Sequence, residues 1–214
     1  MLVTIVGAGA MARGTATIAL AGGHSVRLVG RSPERTEALV GELRATAPDG
    51  DVERSDAIGT EDADLVVLAV PWPAGRDIAA DLGTALAGSV LVDLCNPVDR
   101  TTLDALVVPP GTSAAEEIAA AAAPGAPVVK AFNTVFARTL LSGRVADRPL
   151  DVLIAGDDED GKGAVADLAA SGGLRPLDVG PLRRARELEG FQLLHMAAQE
   201  RLGLGWSSAV KILP

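Results

Sequence analysis

Six residues near the start of the chain, Gly7-Ala8-Gly9-Ala10-Met11-Ala12, form a G-x-G-x-x-A pattern directly after the apolar run Leu2–Val6. A strand, this pattern and then a helix is the arrangement that cradles the pyrophosphate of a dinucleotide. The first glycine permits a tight turn, the second admits phosphates to the backbone, and the third small residue lets the helix lie close on the strand. The helix N-terminus beyond it offers free N–H groups and the positive end of the helix dipole. Gly7, Ala8, Gly9, Ala10, Met11 and Ala12 are therefore candidate cofactor-binding residues.

The end of the second strand sets the type of dinucleotide. An acidic residue there holds the ribose hydroxyls of NAD, whereas this chain reads Val29-Gly30-Arg31-Ser32-Pro33-Glu34-Arg35. Arg31 and Arg35 can grip a 2′-phosphate through charge-assisted forks, with the Ser32 hydroxyl as a further donor. Pro33 starts a helix and places Glu34 inside it, away from the strand end. The expected cofactor is NADP.

Ligands of open parallel sheets bind beyond the carboxyl ends of the strands. Val70, Pro71 and Trp72 are expected beside the nicotinamide, with Asn96, Pro97 and Asn133 close by, the two asparagines offering hydrogen bonds to its carboxamide or to a substrate. Trp72, Phe132 and Phe136 all fall at such ends in a chain with two Trp, three Phe and no Tyr, which points to a flat apolar slot. No side chain stands out as a catalytic acid or base; Asn133, Phe136 and Trp72 are the residues expected nearest to the reaction. Lys130 reads equally as an anchor for an anionic substrate or as a surface charge. Cys95 reads as a small core residue, with no histidine beside it in sequence to activate it. His24 reads as a turn position and His195 as a helix-packing residue.

Composition narrows the chemistry. The absence of tyrosine removes every mechanism that needs a phenol acid. A single cysteine excludes an internal disulfide and a multi-cysteine metal site, and two distant histidines speak against any metal. The balance of 19 basic and 28 acidic residues, a net charge of −9, argues against nucleic acid as a partner. No apolar stretch approaches the roughly 18 residues of a membrane span, and no signal segment opens the chain. A cytoplasmic protein without a membrane partner is expected.

Alternating elements must position these residues. Short β-branched runs alternate with alanine-rich segments, the pattern of a doubly wound, mainly parallel α/β sheet. Strands are expected at 2–6, 25–29, 64–70, 89–94, 128–132, 151–155 and 175–179. Helices are expected at 11–21, 32–45, 74–86, 113–122, 158–171 and 182–202. Ser32 and Ser113 are expected N-caps, the second in a capping box with Glu116. The expected architecture is a Rossmann-type domain over residues 1–180 that binds NADP, with residues 181–214 as a small helical extension completing a substrate cleft and a dimer contact. Phe191, Leu194, Met196, Leu202, Trp206, Val210, Ile212 and Leu213 supply the apolar surface for a homodimer.

Together Gly7-Ala8-Gly9, Met11-Ala12-Arg13-Gly14, Val29-Gly30-Arg31-Ser32, Val70-Pro71-Trp72 and Gly173-Leu174-Arg175-Pro176-Leu177-Asp178-Val179-Gly180-Pro181-Leu182 resemble the NADPH-dependent deazaflavin (coenzyme F420) reductases over nearly the whole chain. The resemblance implies hydride transfer between NADP(H) and a deazaflavin stacked face to face, where the protein supplies orientation rather than an acid or base. One segment departs from that family, whose His-Thr-Ile-Pro stretch is here Asn133-Thr134-Val135-Phe136. The version Lys130-Ala131-Phe132-Asn133-Thr134 is similar to the NADPH domain of membrane ferric reductases, which pass electrons to a flavin. A reductase of a flavin or small metabolite, and an NADP-sensing module without turnover, are the alternatives. The stretch after Val179 is shorter than the helical domain of imine and 2-hydroxyacid reductases, an expectation against those activities.

Overall fold

The computed structural model describes residues 1–213. Its strands are β1 (Leu2–Val6), β2 (Ser25–Val29), β3 (Val52–Ser55), β4 (Leu65–Leu68), β5 (Val90–Asp93), β6 (Val128–Lys130), β7 (Arg144–Val145), β8 (Arg148–Pro149), β9 (Asp151–Gly156) and β10 (Arg175–Gly180). Its α-helices are α1 (Ala10–Ala21), α2 (Pro33–Thr46), α3 (Trp72–Leu82), α4 (Ala114–Ala121), α5 (Ala137–Ser142), α6 (Glu159–Ser171) and α7 (Ala185–Arg201). Eight strands form one sheet in the order β10-β9-β6-β5-β4-β1-β2-β3. The six strands from β3 to β6 are parallel, the Rossmann arrangement, while β9 joins β6 antiparallel and β10 pairs parallel to β9.

The central strands are almost wholly apolar because both of their faces are covered; the exceptions are Thr4 in β1 and the terminal Asp93 and Lys130 of β5 and β6. Along β4, Leu65 and Val67 face one core with α1, α2, α5 and α6, whereas Val66 and Leu68 face the other with α3 and α4. Helix starts follow local chemistry. Ser32 caps α2 by accepting the Arg35 N–H at 3.3 Å, with Pro33 as the first helical residue. Ser113 caps α4 in the same way, but the Glu116 carboxylate takes the Ser113 hydroxyl proton instead of its backbone N–H, so the expected box closes through the side chain.

Three features differ from the sequence expectation. β3 has one buried residue, Val52, among polar neighbours, and an edge strand so poor in apolar residues carries no pattern to read. β6 stops at Lys130 because Phe132 takes a left-handed backbone, φ 59°. Between 137 and 149 lie α5 and the small β7–β8 hairpin, whose central residues Ala146 and Asp147 both have positive φ, as a tight hairpin turn demands.

The ends of α1 and α6 meet through glycines. A Cβ on Gly172 would stand 2.3 Å from Ile18 Cγ2 and 2.7 Å from the Ile18 carbonyl oxygen, and one on Gly22 would stand 2.5 Å from Ser171 Oγ. Gly163, inside α6, faces open space. Gly172→Ala is expected to lower stability by about 1–3 kcal/mol through overpacking. Gly163→Ala should instead raise it by roughly 0.5–1 kcal/mol through helix propensity. Chemical denaturation of the two variants reads both signs.

Candidate functional site

The strand order turns back at β1: the chain proceeds to β2 and β3 on one side and to β4, β5 and β6 on the other. Such a reversal opens a crevice at the carboxyl ends of β1 and β4. Gly7 sits in it with φ 131°, donating its N–H to Val29 O at 2.7 Å, and a Cβ there would lie 2.4 Å from Ala69 O. Only glycine fits between the two strand ends. Gly9 caps α1 without a side-chain hydrogen bond, no acidic residue stands in the first turn, and a Cβ on Gly9 would meet nothing within 4 Å. The leading N–H groups of α1 therefore meet no side chain, over an open backbone floor formed by Ala8, Gly9 and Ala10. Met11 is half-buried against the core, and Ala12 is fully buried as the third small residue. Gly14 brings α1 against α5, with Leu140 Cδ2 at 2.9 Å from where a Cβ would be.

Arg31 just beyond β2 and Arg35 in the first turn of α2 are exposed and enter no ion pair among the described residues. Nearby arginines are engaged: Arg13 pairs with Glu42 at 3.1 Å, Arg27 with Glu53 and Asp62, and Arg54 with Asp56 and Glu37. Ser32 departs from its expected part as a free donor. Its hydroxyl donates to Glu34 Oε2 at 2.9 Å while capping α2, so the helix start consumes it.

On the other side of the crevice, Pro71 caps α3 and Trp72 is its first residue. The Trp72 ring is half-buried against the α3–α4 core, its Nε1 is buried without a partner, and Arg76 lies 6.0 Å from the ring centre. Buried Cys95 donates its thiol to Val70 O at 3.1 Å, joining the turns after β4 and β5. Burial pushes that thiol well above its usual pKa, so it stays neutral and structural. Asn96 and Asn133 bond mainly to each other: Asn96 Nδ2 donates to Asn133 O at 2.9 Å, and Asn133 Nδ2 to Asn96 Oδ1 at 3.0 Å. What remains is Asn133 Oδ1, a buried acceptor without a partner. Buried Pro97 accepts the Val107 N–H at 2.7 Å.

Lys130 fulfils neither of its expected roles. Its side chain is 0% exposed, and Nζ donates to Asp93 Oδ2 at 2.7 Å, Glu189 Oε1 at 2.7 Å and Cys95 O at 2.6 Å. Asp93 accepts the Cys95 N–H at 2.7 Å, and Glu189 of α7 accepts the N–H groups of Ala114 and Ala115 at the start of α4. Burial opposes the charge on Lys130, but Asp93 and Glu189 outweigh it and its pKa is pushed up to about 12. Burial pushes Glu189 above the usual carboxylate range, against the pull of Lys130. Asp93 and Glu189 were not among the sequence candidates. The one local signal is that Asp93 and Lys130 each end an otherwise apolar strand.

The aromatic residues do not gather into one slot. Phe132 is fully buried in the core, since its left-handed backbone turns it inward, and Trp72 packs on the opposite layer. Phe136 instead meets the C-terminal segment, 4.6 Å from the His195 ring and 5.3 Å from Trp206, which stands edge-on at 80°. His195 is a packing residue as expected, and it also ties down the tail: Nε2 lies 2.8 Å from Ser208 Oγ and Nδ1 3.2 Å from Gln192 Oε1. Burial holds its pKa below the ordinary value. Farther along, Asp151 accepts from Lys211 and from the Ile212 N–H, while Arg175 donates to Ile212 O at 2.8 Å. His24 bonds Ser171 Oγ at 2.8 Å, on a turn far from the crevice. Among the described residues there is no group of three or more metal-ligating side chains, and no helix is long and apolar enough to cross a membrane.

Lys130→Met leaves two buried carboxylates without their cation, and is expected to cost about 3–5 kcal/mol of stability in a denaturant titration.

Comparison with known proteins agrees with this geometry. Residues 2–97 match the family described as NADP oxidoreductase, coenzyme F420-dependent. The chain is 32% identical over 191 residues to metalloreductase STEAP3 of Rattus norvegicus, covering 89% of this chain but only 36% of that relative. It is 28% identical over 184 residues to the F420-dependent NADP reductase of Methanocaldococcus jannaschii, covering 80% of each. A crystal structure from Arthrobacter sp. FB24, described as a candidate F420-dependent NADP reductase, superimposes with TM-score 0.75 at 28% identity and covers 94% of each chain. The family resemblance read from the motifs is borne out.

Proposed function

We propose that this NADP-dependent oxidoreductase, kin to the F420-dependent NADP reductases, moves hydride between NADP(H) and a deazaflavin of the coenzyme F420 type. The observation that carries the reading is the uncapped start of α1 beside two arginines, Arg31 and Arg35, that form no ion pair among the described residues. In this reading Gly7, Ala8, Gly9, Ala10, Met11 and Ala12 hold the pyrophosphate, and Arg31 and Arg35 hold the 2′-phosphate. Ser32 acts through the α2 cap that fixes Arg35. Val70, Pro71 and Trp72 flank the nicotinamide, with Asn96, Pro97 and Asn133 along the opposite lip. The unpartnered Asn133 Oδ1 is suited to accept from the nicotinamide carboxamide.

When bound, the nicotinamide supplies the hydride chemistry; the chain's share is to bind, orient and exclude water. Residues 1–180 do the first of these. Residues 181–214 complete the acceptor side, where Trp206 stands beside Phe136, and form the contact of a homodimer through exposed Leu194, Leu202, Ile212 and Leu213. We place the protein in the cytoplasm, with small-molecule hydride donors and acceptors as its partners. A flavin acceptor is the second reading, favoured by the Lys130–Thr134 segment and the match to the metalloreductase.

The decisive assay mixes the protein with NADPH and oxidised deazaflavin and follows the deazaflavin absorbance, with FMN and FAD in parallel. Bleaching of the deazaflavin is expected. Turnover with a flavin alone moves the assignment to the second reading, and no turnover with any of the three sinks both. Replacing Arg31 and Arg35 together by Ala should weaken NADPH about tenfold or more, the worth of a lost charge-assisted contact, with NADH little changed. Equal losses for the two nucleotides would remove the 2′-phosphate assignment.

A further inference from the structure

We propose that the Asp93–Lys130–Glu189 cluster is a fixed negative charge beneath the nicotinamide end of the crevice, and that it favours the oxidised, cationic cofactor over the reduced, neutral one. The inference rests on the dinucleotide site described above and adds the sense in which that site biases the reaction.

The charge count follows from the hydrogen bonds. Every partner of Asp93 donates to it: the Cys95 N–H and Lys130 Nζ, each at 2.7 Å. Every partner of Glu189 donates as well, namely Lys130 Nζ at 2.7 Å, Ala114 N at 3.0 Å and Ala115 N at 3.4 Å. Acceptance from donors alone favours the ionised form of both carboxylates; at Glu189 burial works against it, and the Lys130 ammonium and the α4 N–H groups work for it. Lys130 spends all three of its N–H bonds on Asp93, Glu189 and Cys95 O. Two negative charges against one positive leave a net −1. The start of α4 offsets roughly half a charge through its dipole. The other pair joining α4 to α7, Arg186 with Glu116 at 2.6 Å, is neutral in sum. All three side chains are 0% exposed, so salt and water screen the residual charge poorly.

Its placement is equally specific. Asp93 and Lys130 are the last residues of β5 and β6, whose carboxyl ends lie on the same edge of the sheet as the crevice, β5 directly beside β4. The carbonyl that Lys130 holds belongs to Cys95, which directly precedes Asn96 of the nicotinamide lip. Loss of hydride from C4 breaks the C–H bond, sends the electron pair with the hydrogen to the acceptor, and leaves the ring with one positive charge. The adenosine and phosphate parts are the same in both forms. A fixed charge near the ring therefore separates their affinities, and a site that prefers the cation makes its bound NADPH the better hydride donor.

NADP+ and NADPH are titrated separately by calorimetry onto the wild-type chain and onto Glu189→Gln, with 2′,5′-ADP as a probe of the shared half. The Gln variant keeps the volume and removes the charge, at the cost of turning one amide N–H2 toward a donor, and 2′,5′-ADP reports any loss shared by both forms. NADP+ should weaken relative to NADPH by about three- to tenfold, with 2′,5′-ADP unmoved. Asp93→Asn removes a charge from the other side of the cluster and should shift the ratio in the same direction, so the test survives a folding failure of either variant. A merely structural role would weaken both forms equally. An unchanged ratio in a variant that folds by circular dichroism overturns the proposal. A wild-type chain that binds neither NADP+ nor NADPH overturns the dinucleotide site itself.

Discussion

One buried ammonium, Lys130, holds together parts of the molecule that the chain alone keeps far apart. Its three hydrogen bonds reach Asp93 at the end of β5, the Cys95 carbonyl in the following turn and Glu189 on α7, and Glu189 in turn closes the start of α4. Breaking such a buried cluster is costly, since each partner would be left as an unpaired charge away from water. The consequence is geometric: the end of β5, the end of β6, the start of α4 and α7 share one origin. The lip that carries Asn96 and Asn133 is set by that origin and then locked by the hydrogen bonds between the two asparagines.

The opposite lip is fixed differently. Gly7 and Ala69 approach so closely that no side chain fits at Gly7, and Cys95 binds the turn after β4 through Val70 O. Steric closeness sets the lip at Gly7 and Ala69, and buried polar bonding sets the lip at Asn96 and Asn133. Against these stand polar groups without partners: the start of α1, the guanidinium groups of Arg31 and Arg35, which form no ion pair among the described residues, Trp72 Nε1, Asn133 Oδ1 and, within α1, Thr15 Oγ1. Buried polar groups are seldom left unmet, and where several line one crevice a ligand is one physical reason.

The C-terminal segment is anchored at two separate points. Ser208 joins His195 and Gln199 on α7, and Asp151 with Arg175 holds Lys211 and Ile212 beside β9 and β10. Between these anchors Trp206 takes a left-handed backbone, φ 58°, and stands edge-on to Phe136. The tail is thus built into the fold and adds an aromatic wall directly beyond β6.

Much of this could be read from residue order. The glycine pattern, the apolar strands, the Ser-Pro start of α2 and the two arginines depend on neighbours within a few positions, where steric and capping preferences act, so β1, α1, β2 and α2 were legible. Lys130 was not. A lysine after Val128-Val129 looks like any charge leaving a sheet, and its partners lie 37 and 59 residues away. Phe132 likewise left the expected slot because a positive φ, which only the surrounding packing can enforce, turned it into the core. The sequence by itself determined the elements from β1 to α2, the glycine-rich turn between β1 and α1, and the exposed arginines after β2. Tertiary structure alone decided which charges are buried together, which asparagine acceptor stays free and which aromatic residues meet, because those outcomes rest on contacts between distant segments.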